Sequence, residues 1–228
     1  MESNKKEIRD DTRHLILAEG KDAYYFLVHL LTYNINNKNN KDSVIATFNT
    51  FQVFDFDGNS NLNKLLNIIL LSEKFPNITS LSVIRDAENN HESAASSIKQ
   101  SFTKFDLPPP NKPFTPNKDG DLNTGFILFP DCSSSPRNGT LEDLCLEILY
   151  NKYFKQISEA ESIIKGNNFK RPHKNKLHLC FSLTDEFVSL KIGEAAKARA
   201  FNFESPQIIS INSFLLDMAA PPPGNQQL

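Results

Sequence analysis

Short apolar runs alternate with amphipathic stretches along the first two thirds of the chain. The earliest run, His14–Ala18, leads through Glu19 and Gly20 into residues whose apolar positions recur at helical spacing. A continuous apolar run bounded by a turn is typical of a buried strand. We therefore predict a strand over His14–Ala18 and a helix over Lys21–Tyr33.

The same order of strand and helix is predicted three more times. The further strands are predicted in Val44–Phe56, Ile78–Arg85 and Gly125–Pro130, and the further helices in Leu62–Leu70, Ser93–Phe105 and Leu141–Leu149. Thr140 and Asp143 have the spacing of a capping box at the start of the last of these helices. Repeated alternation of strand and helix predicts an α/β fold with a parallel sheet covered on both faces.

Two segments between these elements are predicted to be irregular. Asn34–Asp42 is rich in Asn and Lys, which is typical of a solvated surface loop. Leu107–Pro116 holds five of the 13 prolines and is predicted to be an extended connector.

The C-terminal part contains helical patterns and no clear strand. Helices are predicted in Leu177–Leu183, in Asp185–Ala200 despite Gly193, and from Ser205 onwards, where a cap residue precedes a proline. We divide the chain into an α/β domain over 1–154, a helical appendage over 155–218 that packs on it, and a flexible tail over 219–228.

Composition excludes several classes of protein. The net charge of −2 argues against a strongly basic protein that binds polyanions through a basic tail, but it leaves nucleic acid open because a metal site can supply local positive charge. The longest apolar runs fall short of the roughly 20 residues that span a bilayer. Three cysteines without CxxC spacing, and a charged N-terminus without an apolar signal segment, favour a reducing compartment. We expect a soluble cytoplasmic protein with no membrane contact. No GxxxxGK[ST] loop occurs, so an ATPase would have to be a separate chain.

Carboxylates follow two of the predicted strands. Glu19 ends the first strand, and Asp86 and Glu88 follow the third at a spacing of two residues. Parallel strands end at one edge of a sheet, and that edge is where open α/β sheets bind ligands. Carboxylates are hard oxygen ligands for Mg²⁺ or Mn²⁺, so a divalent-cation site is one interpretation. The other is structural, because turns and helix starts also favour Asp and Glu.

The order of these motifs resembles the toprim domain. A Glu-Gly pair follows the first strand, a glycine follows the second, and an acid-x-acid pair follows the third. The fuller pattern is similar to stand-alone toprim-like proteins of the DUF3226 type, which are relatives of the nuclease domain of OLD-family proteins. The matching stretches are Leu15–Asp22, Phe54–Leu62, Ile84–Glu88, Phe126–Asp131, Gly139–Leu146 and, more loosely, Gly193–Leu216.

The resemblance implies a toprim-like, mostly parallel four-stranded sheet and a nuclease site with two Mg²⁺ or Mn²⁺ ions. Glu19 would bind metal or act as general acid or base, and Asp86 and Glu88 would hold the second metal. The helix-start motif at Thr140 and Glu142 would add metal contacts.

The resemblance also implies a lysine near the phosphate and contacts from the first turn. Lys176 is our candidate for a catalytic residue, and Lys174 is the alternative. Lys174, Gly20, Lys21 and Thr140 would contact phosphate or nucleic acid. The implied partners are a nucleic-acid substrate and an ABC-type ATPase or other protein, as in defence systems. Assembly into a homo-oligomer is a further possibility.

Two departures from the family pattern support a second interpretation. The acid-x-acid pair ends in Glu88 instead of Asp, and Ala23 stands where many members carry a second acid, with Asp22 one residue short. A non-catalytic toprim scaffold that binds a partner protein or a nucleotide is therefore the alternative to a nuclease. A third class, a phosphotransferase or hydrolase, would use Asp55 or Asp57 as nucleophile.

Several further residues have competing interpretations. Asp55 and Asp57 form an Asp-x-Asp pair, but the following Gly58 favours a role in a turn. Asp131 ends the fourth strand and His91 lies near the acid pair, so that either is a candidate for the site. Cys132 has no recognisable His partner, which argues against a nucleophile.

Overall fold

A four-stranded sheet, parallel throughout, lies at the centre of the molecule. The computed structural model describes residues 7–131 and 136–221, so that most of the predicted tail, and Cys132, lie outside the described residues. The strands are β1 (His14–Ala18), β2 (Phe51–Asp55), β3 (Ser80–Asp86) and β4 (Asn123–Phe129), in the spatial order β2-β1-β3-β4. The predicted α/β class with a parallel four-stranded sheet is confirmed, and this arrangement fits a toprim-like fold.

The described helices cover both faces of this sheet. They are α1 (Gly20–Asn36), α2 (Asp42–Asn49), α3 (Leu62–Leu70), α4 (His91–Lys104), α5 (Leu141–Lys165), α6 (Pro172–Ser182), α7 (Ile192–Lys197) and α8 (Pro206–Ala219). Short 3₁₀ turns occupy Asn59–Asn61 and Phe75–Asn77. The predicted helical C-terminal region is confirmed. No helix within the described parts of the chain is both long enough and apolar enough to cross a membrane.

Side chains of β1 point alternately into two separate cores. Ile16 and Ala18 belong to the core formed with α1 and α5–α8, and Leu15 and Leu17 to the one formed with α3 and α4. Alternation of this kind follows from the two-residue repeat of a strand. Both faces of β1 are buried, which explains why its sequence is a continuous apolar run.

The strand register sets the edge at which β1 and β3 end. Ala18, the last residue of β1, pairs with Asp55 of β2 and with Ile84 of β3. β3 continues for two further residues, Arg85 and Asp86, and these pair with Leu128 and Phe129 of β4. Asp86 therefore lies beyond the end of β1, beside the turn that Glu19 begins.

The second strand, predicted to lie within Val44–Phe56, occupies only the second half of that stretch. Asp42–Asn49 is α2, and β2 begins at Phe51. Val44 and Phe48 lie four residues apart and pack on the same core, which is the spacing of a helix face. Their β-branched and aromatic side chains favoured a strand in the sequence, but packing against α1 and α8 outweighs that weak preference.

The loop predicted over Asn34–Asp42 is shorter than expected. Asn34 lies within α1, is buried, and its Nδ2 donates a hydrogen bond of 2.8 Å to Oδ1 of Asn212 on α8. A buried amide has to be paired, and a partner distant in the sequence leaves no local signal. The irregular segment is confined to the residues between α1 and α2.

The helix predicted over Asp185–Ala200 is also shorter and is confined to α7. Gly193, which weakens the helical pattern, has a packing role. A Cβ at Gly193 would lie 2.6 Å from Cβ of Tyr25 on α1. Glycine therefore lets α7 approach α1 closely.

The boundary between the predicted domain and appendage falls inside α5. α5 spans Leu141 to Lys165 and has a kink at Tyr153 (φ −124°, ψ 34°), where two helical segments meet next to that boundary. Buried side chains from both halves of α5 belong to the same core as those of α6, α7 and α8.

Candidate functional site

A cleft of about 710 Å³ lies at the carboxyl ends of β1 and β3. Its lining comes from the start of α1, the turn after β2, the residues after β3, the start of α5 and the start of α6. The predicted site residues that line it are Glu19, Gly20, Lys21, Asp86, Glu88, Thr140, Glu142 and Lys174. The structure thus brings together eight of the nine site residues, and Lys176 is the exception.

Four of these residues, Glu19, Asp86, Glu88 and Glu142, form what we call the acidic cluster. Glu19 is the residue between β1 and α1, and its backbone N–H donates to the carbonyl of Ile84 on β3 (3.0 Å). Its Oε2 forms an ion pair with Nε of Arg85 at 3.0 Å. Arg85 is buried, with 4% of its surface exposed. The ion pair therefore neutralises the charge of Glu19 inside the protein.

Asp86 joins the end of β3 to the start of α5. Its Oδ1 accepts a hydrogen bond of 2.8 Å from the backbone N–H of Leu141, the first residue of α5. Unpaired N–H groups at a helix start favour a carboxylate, so this contact has a structural role of its own. It also places Asp86 beside Glu142, the second residue of α5.

The pKa of Asp86 is raised well above its usual value. Burial of the carboxyl group is the main cause, followed by repulsion from Glu142, and then from Glu19 and Glu88. The hydrogen bond from Leu141 opposes these effects. Asp86 is therefore a buried carboxyl group whose charged form its acidic neighbours also disfavour.

Glu88 is held in an unusual backbone conformation. Its φ is +53°, in the left-handed region that non-glycine residues rarely adopt. Reciprocal backbone hydrogen bonds of 2.8 Å with Gly139 fix it there. The side chain is exposed at the cleft, and this bridge ties the loop after β3 to the segment that leads into α5.

The start of α5 is built as the sequence predicts. Oδ2 of Asp143 accepts hydrogen bonds from the backbone N–H of Thr140 (2.9 Å) and from its Oγ1 (3.3 Å). This interaction fixes the first turn, in which Glu142 is buried and lines the cleft. The helix start thus orients a carboxylate of the acidic cluster.

Residues 170–174, which we call the basic segment, complete the cleft. Lys170, Arg171, Pro172, His173 and Lys174 all line it, where the chain enters α6. Nζ of Lys174 pairs with Oδ2 of Asp22 at 3.0 Å, which holds the start of α6 near the start of α1. Nδ1 of His173 lies 2.7 Å from Oδ1 of Asp143.

Lys176, predicted as a catalytic lysine, lies elsewhere. Its Nζ pairs with Glu161 of α5 at 3.3 Å, and it lines a separate surface depression with Tyr150 and Gln207. Two residues along a helix correspond to a rotation of about 200°, so Lys174 and Lys176 cannot share a face of α6. Its position argues against the role predicted for Lys176, and Lys174 is the lysine at the cleft.

The alternative acids have contacts of their own. Oδ1 of Asp55 accepts hydrogen bonds from the backbone N–H groups of Gly20 (2.9 Å) and Asp57 (2.7 Å), so it organises the turns after β1 and β2. Asp57 lines the cleft. Asp131 is buried and lies 3.7 Å from Nε2 of His91, away from the cleft.

The acidic cluster has donors of the chemical type that divalent cations prefer, but they are not arranged as a metal-ligand group. Its donors are all carboxylate oxygens, which Mg²⁺ and Mn²⁺ prefer, and the repulsion at Asp86 is what a cation would relieve. Within residues 7–131 and 136–221, no three His, Cys, Asp or Glu side chains form a ready-made ligand group. The acidic cluster therefore lines the cleft without forming a closed shell of ligands.

Sequence reasoning missed Arg85, Asp143 as a partner of His173, and most of the basic segment. In the sequence Arg85 has no feature beyond its place near the end of a predicted strand. Its partner Glu19 becomes apparent only when β1 and β3 are aligned side by side. The basic segment did have a signal, because Lys170, Arg171, His173 and Lys174 fall within five residues at a helix start marked by Pro172. Its position against the acidic cluster depends on how α5 and α6 pack.

Comparison with known proteins finds one family. Residues 13–219 match a family model described as a protein of unknown function, DUF3226. No curated protein matches the chain, and no solved structure does.

Proposed function

The chain belongs to the DUF3226 family, and we propose that it is a divalent-metal-dependent nuclease that hydrolyses phosphodiester bonds of DNA or RNA. The proposal rests on one observation, namely that an acidic cluster and a basic segment line the same cleft. The toprim resemblance of the sequence points to the same chemistry. An assignment as the effector of a defence system, beside an ABC-type ATPase, would follow from that resemblance alone.

Opposite charges in one cleft suit a phosphodiester and a cation together. A nucleic-acid backbone is anionic, so an acidic cluster alone would repel it, whereas Lys and Arg side chains bind phosphate oxygens. Glu19, Asp86, Glu88 and Glu142 would hold Mg²⁺ or Mn²⁺. Once bound, the ion would supply positive charge at the phosphate and lower the pKa of an attacking water.

The remaining residues of the cleft would orient the substrate. Lys174, Arg171 and Lys170 would bind backbone phosphates, with Lys21 at the start of α1. The backbone N–H of Gly20, which is predicted to contact phosphate, donates to Asp55, so Gly20 also has a role in the turn. Thr140 would act by holding Asp143 and the start of α5, which fixes the position of Glu142.

One observation favours the alternative of a non-catalytic module. Ala23 is buried at the cleft, at the position where many toprim nucleases carry a second acid. The same cleft without sufficient metal affinity would bind a nucleotide or an anionic partner through the basic segment.

The test combines metal binding with cleavage. We expect Mn²⁺ to bind the wild-type protein in calorimetry and to support cleavage of supercoiled DNA, single-stranded DNA or RNA. Asp86→Asn and Glu142→Gln should lower the cleavage rate by more than about 100-fold, because changes one layer outside a metal site already cost about 10–100-fold. Asp121→Asn, an exposed acid before β4, is the matched control and should leave the rate unchanged.

Two results would reject the nuclease. A wild-type protein that binds no Mn²⁺ and cuts none of the three substrates has no such activity. Cleavage at the wild-type rate by Asp86→Asn would show that the activity does not come from this cleft. Nucleotide binding without Mn²⁺ binding or cleavage would support the non-catalytic alternative.

A further inference from the structure

His173 occupies a position that neither the sequence nor the family resemblance assigns. It lies in the first turn of α6, lines the cleft, and keeps 44% of its side chain exposed. Its Nδ1 lies 2.7 Å from Oδ1 of Asp143, so one ring nitrogen is held by α5. The ring is therefore fixed by a second element while part of its surface stays open to the cleft.

The contacts of Asp143 determine which ring nitrogen carries a proton. Oδ2 of Asp143 accepts hydrogen bonds from the N–H and Oγ1 of Thr140, which assigns the group as an acceptor. Nδ1 of His173 must then donate to Oδ1, because a carboxylate accepts. Nε2 is left as the nitrogen that exchanges a proton with the cleft, as in other carboxylate–histidine pairs.

The same segment fixes the acidic cluster and this ring. Asp143 follows Glu142, which belongs to the acidic cluster, and Leu141 donates its N–H to Asp86. Three consecutive residues of α5 thus connect the acidic cluster with His173. Leu141 contacts Asp86, Glu142 belongs to the cluster, and Asp143 contacts His173. Such rigid coupling is what a proton donor needs, since misplacement by about 1 Å can cost about 100-fold in rate.

We propose that His173 is the general acid of the reaction and protonates the leaving sugar oxygen through Nε2. The inference rests on the proposed function and names a catalytic residue within it. The oxygen of a water molecule forms a bond to phosphorus, and the bond from phosphorus to the leaving oxygen breaks. The Nε2 proton goes to that oxygen, so the products are an alcohol and a phosphomonoester. The proton released by the attacking water passes to solvent, and His173 is reprotonated from solvent.

Asp143 has a positioning role in this scheme. It holds Nδ1 as the donor nitrogen, so that Nε2 is the position that gains and gives up the second proton, and it compensates the positive charge of the doubly protonated ring. The purely structural alternative is that the contact only fastens α6 to the start of α5. The two interpretations differ in their dependence on the leaving group, because a good leaving group departs without a proton.

The test uses oligonucleotides in which one bridging oxygen of a single linkage is replaced by sulfur, at the 3′ or at the 5′ side. A thiolate leaves readily without protonation. We expect His173→Asn and His173→Gln to slow cleavage of the normal linkage by about 10²–10⁴-fold. Both should cut the sulfur-bridged linkage on the leaving-group side close to the wild-type rate. His178→Asn, on the same helix but outside the cleft lining, is the control and should cut both at the wild-type rate.

The outcomes separate this inference from the proposed function. Equal loss on both linkages in variants that melt like wild type would assign His173 a structural role, and no loss on either would remove it from the reaction. In both cases the nuclease proposal stands and the inference fails. If the wild type with Mn²⁺ cuts neither linkage, the proposed function fails and this inference falls with it.

Discussion

Asp86 has contacts that affect stability in opposite directions. The hydrogen bond from Leu141 stabilises its carboxylate at the start of α5. Burial and the neighbouring Glu142, Glu19 and Glu88 destabilise that charge and raise the pKa of Asp86. A site that accumulates like charges in this way reduces the stability of the folded protein.

We predict that Asp86→Asn stabilises the protein without added metal while it abolishes cleavage. Asparagine keeps an acceptor for the N–H of Leu141 but removes the repelled charge. The expected gain is about 1 kcal/mol, or roughly 2–4 °C in Tm for a chain of this size. Thermal melts of both proteins in EDTA at pH 8 measure it. A lower Tm for the variant would mean that the hydrogen bond outweighs the repulsion.

The gain should depend on pH in a defined direction. The folded protein holds the Asp86 proton to higher pH than the unfolded chain, where the ordinary value is 3.8. Its contribution to stability is therefore present at low pH and is lost as the pH rises from about that value through the raised pKa. The difference in Tm between Asp86→Asn and wild type should widen from pH 5 to pH 8.

At the scale of elements, the turn into α5 connects the site to the fold. Gly139 has a φ of +138°, and a Cβ there would lie 2.6 Å from Oδ2 of Asp143 and 3.0 Å from Cδ of Pro130. The same glycine pairs with Glu88 through two backbone hydrogen bonds. The backbone of Gly139 therefore fixes Glu88 directly. A side chain at this position would displace Asp143, which contacts His173 and follows Glu142.

We predict that Gly139→Ala destabilises the protein by about 1–3 kcal/mol, the cost of forcing a side chain into such a conformation. Cleavage should fall as well, because displacement of Asp143 moves the start of α5. Gly166→Ala, at the other end of α5, is the control, since φ is −80° and the nearest atom to an added Cβ lies at 3.5 Å. Urea unfolding and the cleavage rate of both variants provide the measurement. Similar losses in the two variants would contradict the role assigned to Gly139.

At the scale of the whole molecule, the C-terminal helices are part of one core with the sheet. Ile211 and Phe214 of α8 are buried in the same cluster as Ile16 of β1 and Ile127 of β4. A Cβ at Gly125 of β4 would lie 2.6 Å from Sδ of Met218, so α8 approaches the sheet closely. This packing argues that residues 155–218 stabilise the α/β part and are not an independent attachment to its surface.

We predict that the α/β part and the C-terminal helices unfold together. Ile211→Ala should cost about 2–5 kcal/mol and shift a single transition, whether circular dichroism or tyrosine fluorescence is followed. Ile209→Ala, on the same helix but 54% exposed, is the matched control and should change stability by less than about 0.5 kcal/mol. Residues 1–154 expressed alone should fail to fold cooperatively. Two separate transitions in the full chain would contradict a shared core.

The sequence by itself determined the class of fold and most of its elements. His14–Ala18 was predicted with the bounds that β1 has, and the apolar residues named between Leu62 and Leu70 all lie in α3, because both stretches carry strong local patterns of burial. The cap at Thr140 was also readable, since a capping box lies within four residues. The carboxylates of the acidic cluster could be predicted because parallel strands end at one edge and the order of motifs has a family resemblance.

Only the tertiary structure decided what surrounds those carboxylates. Arg85 pairs with Glu19, His173 with Asp143, and Lys174 with Asp22. The first partners lie 66 residues apart and the others 30 and 152, so no local pattern links them. The choice between Lys174 and Lys176 likewise depends on which face of α6 meets the cleft. Hydrophobic periodicity shows whether a residue is buried. The partner of a charged residue instead depends on how elements that are distant in the sequence pack against each other.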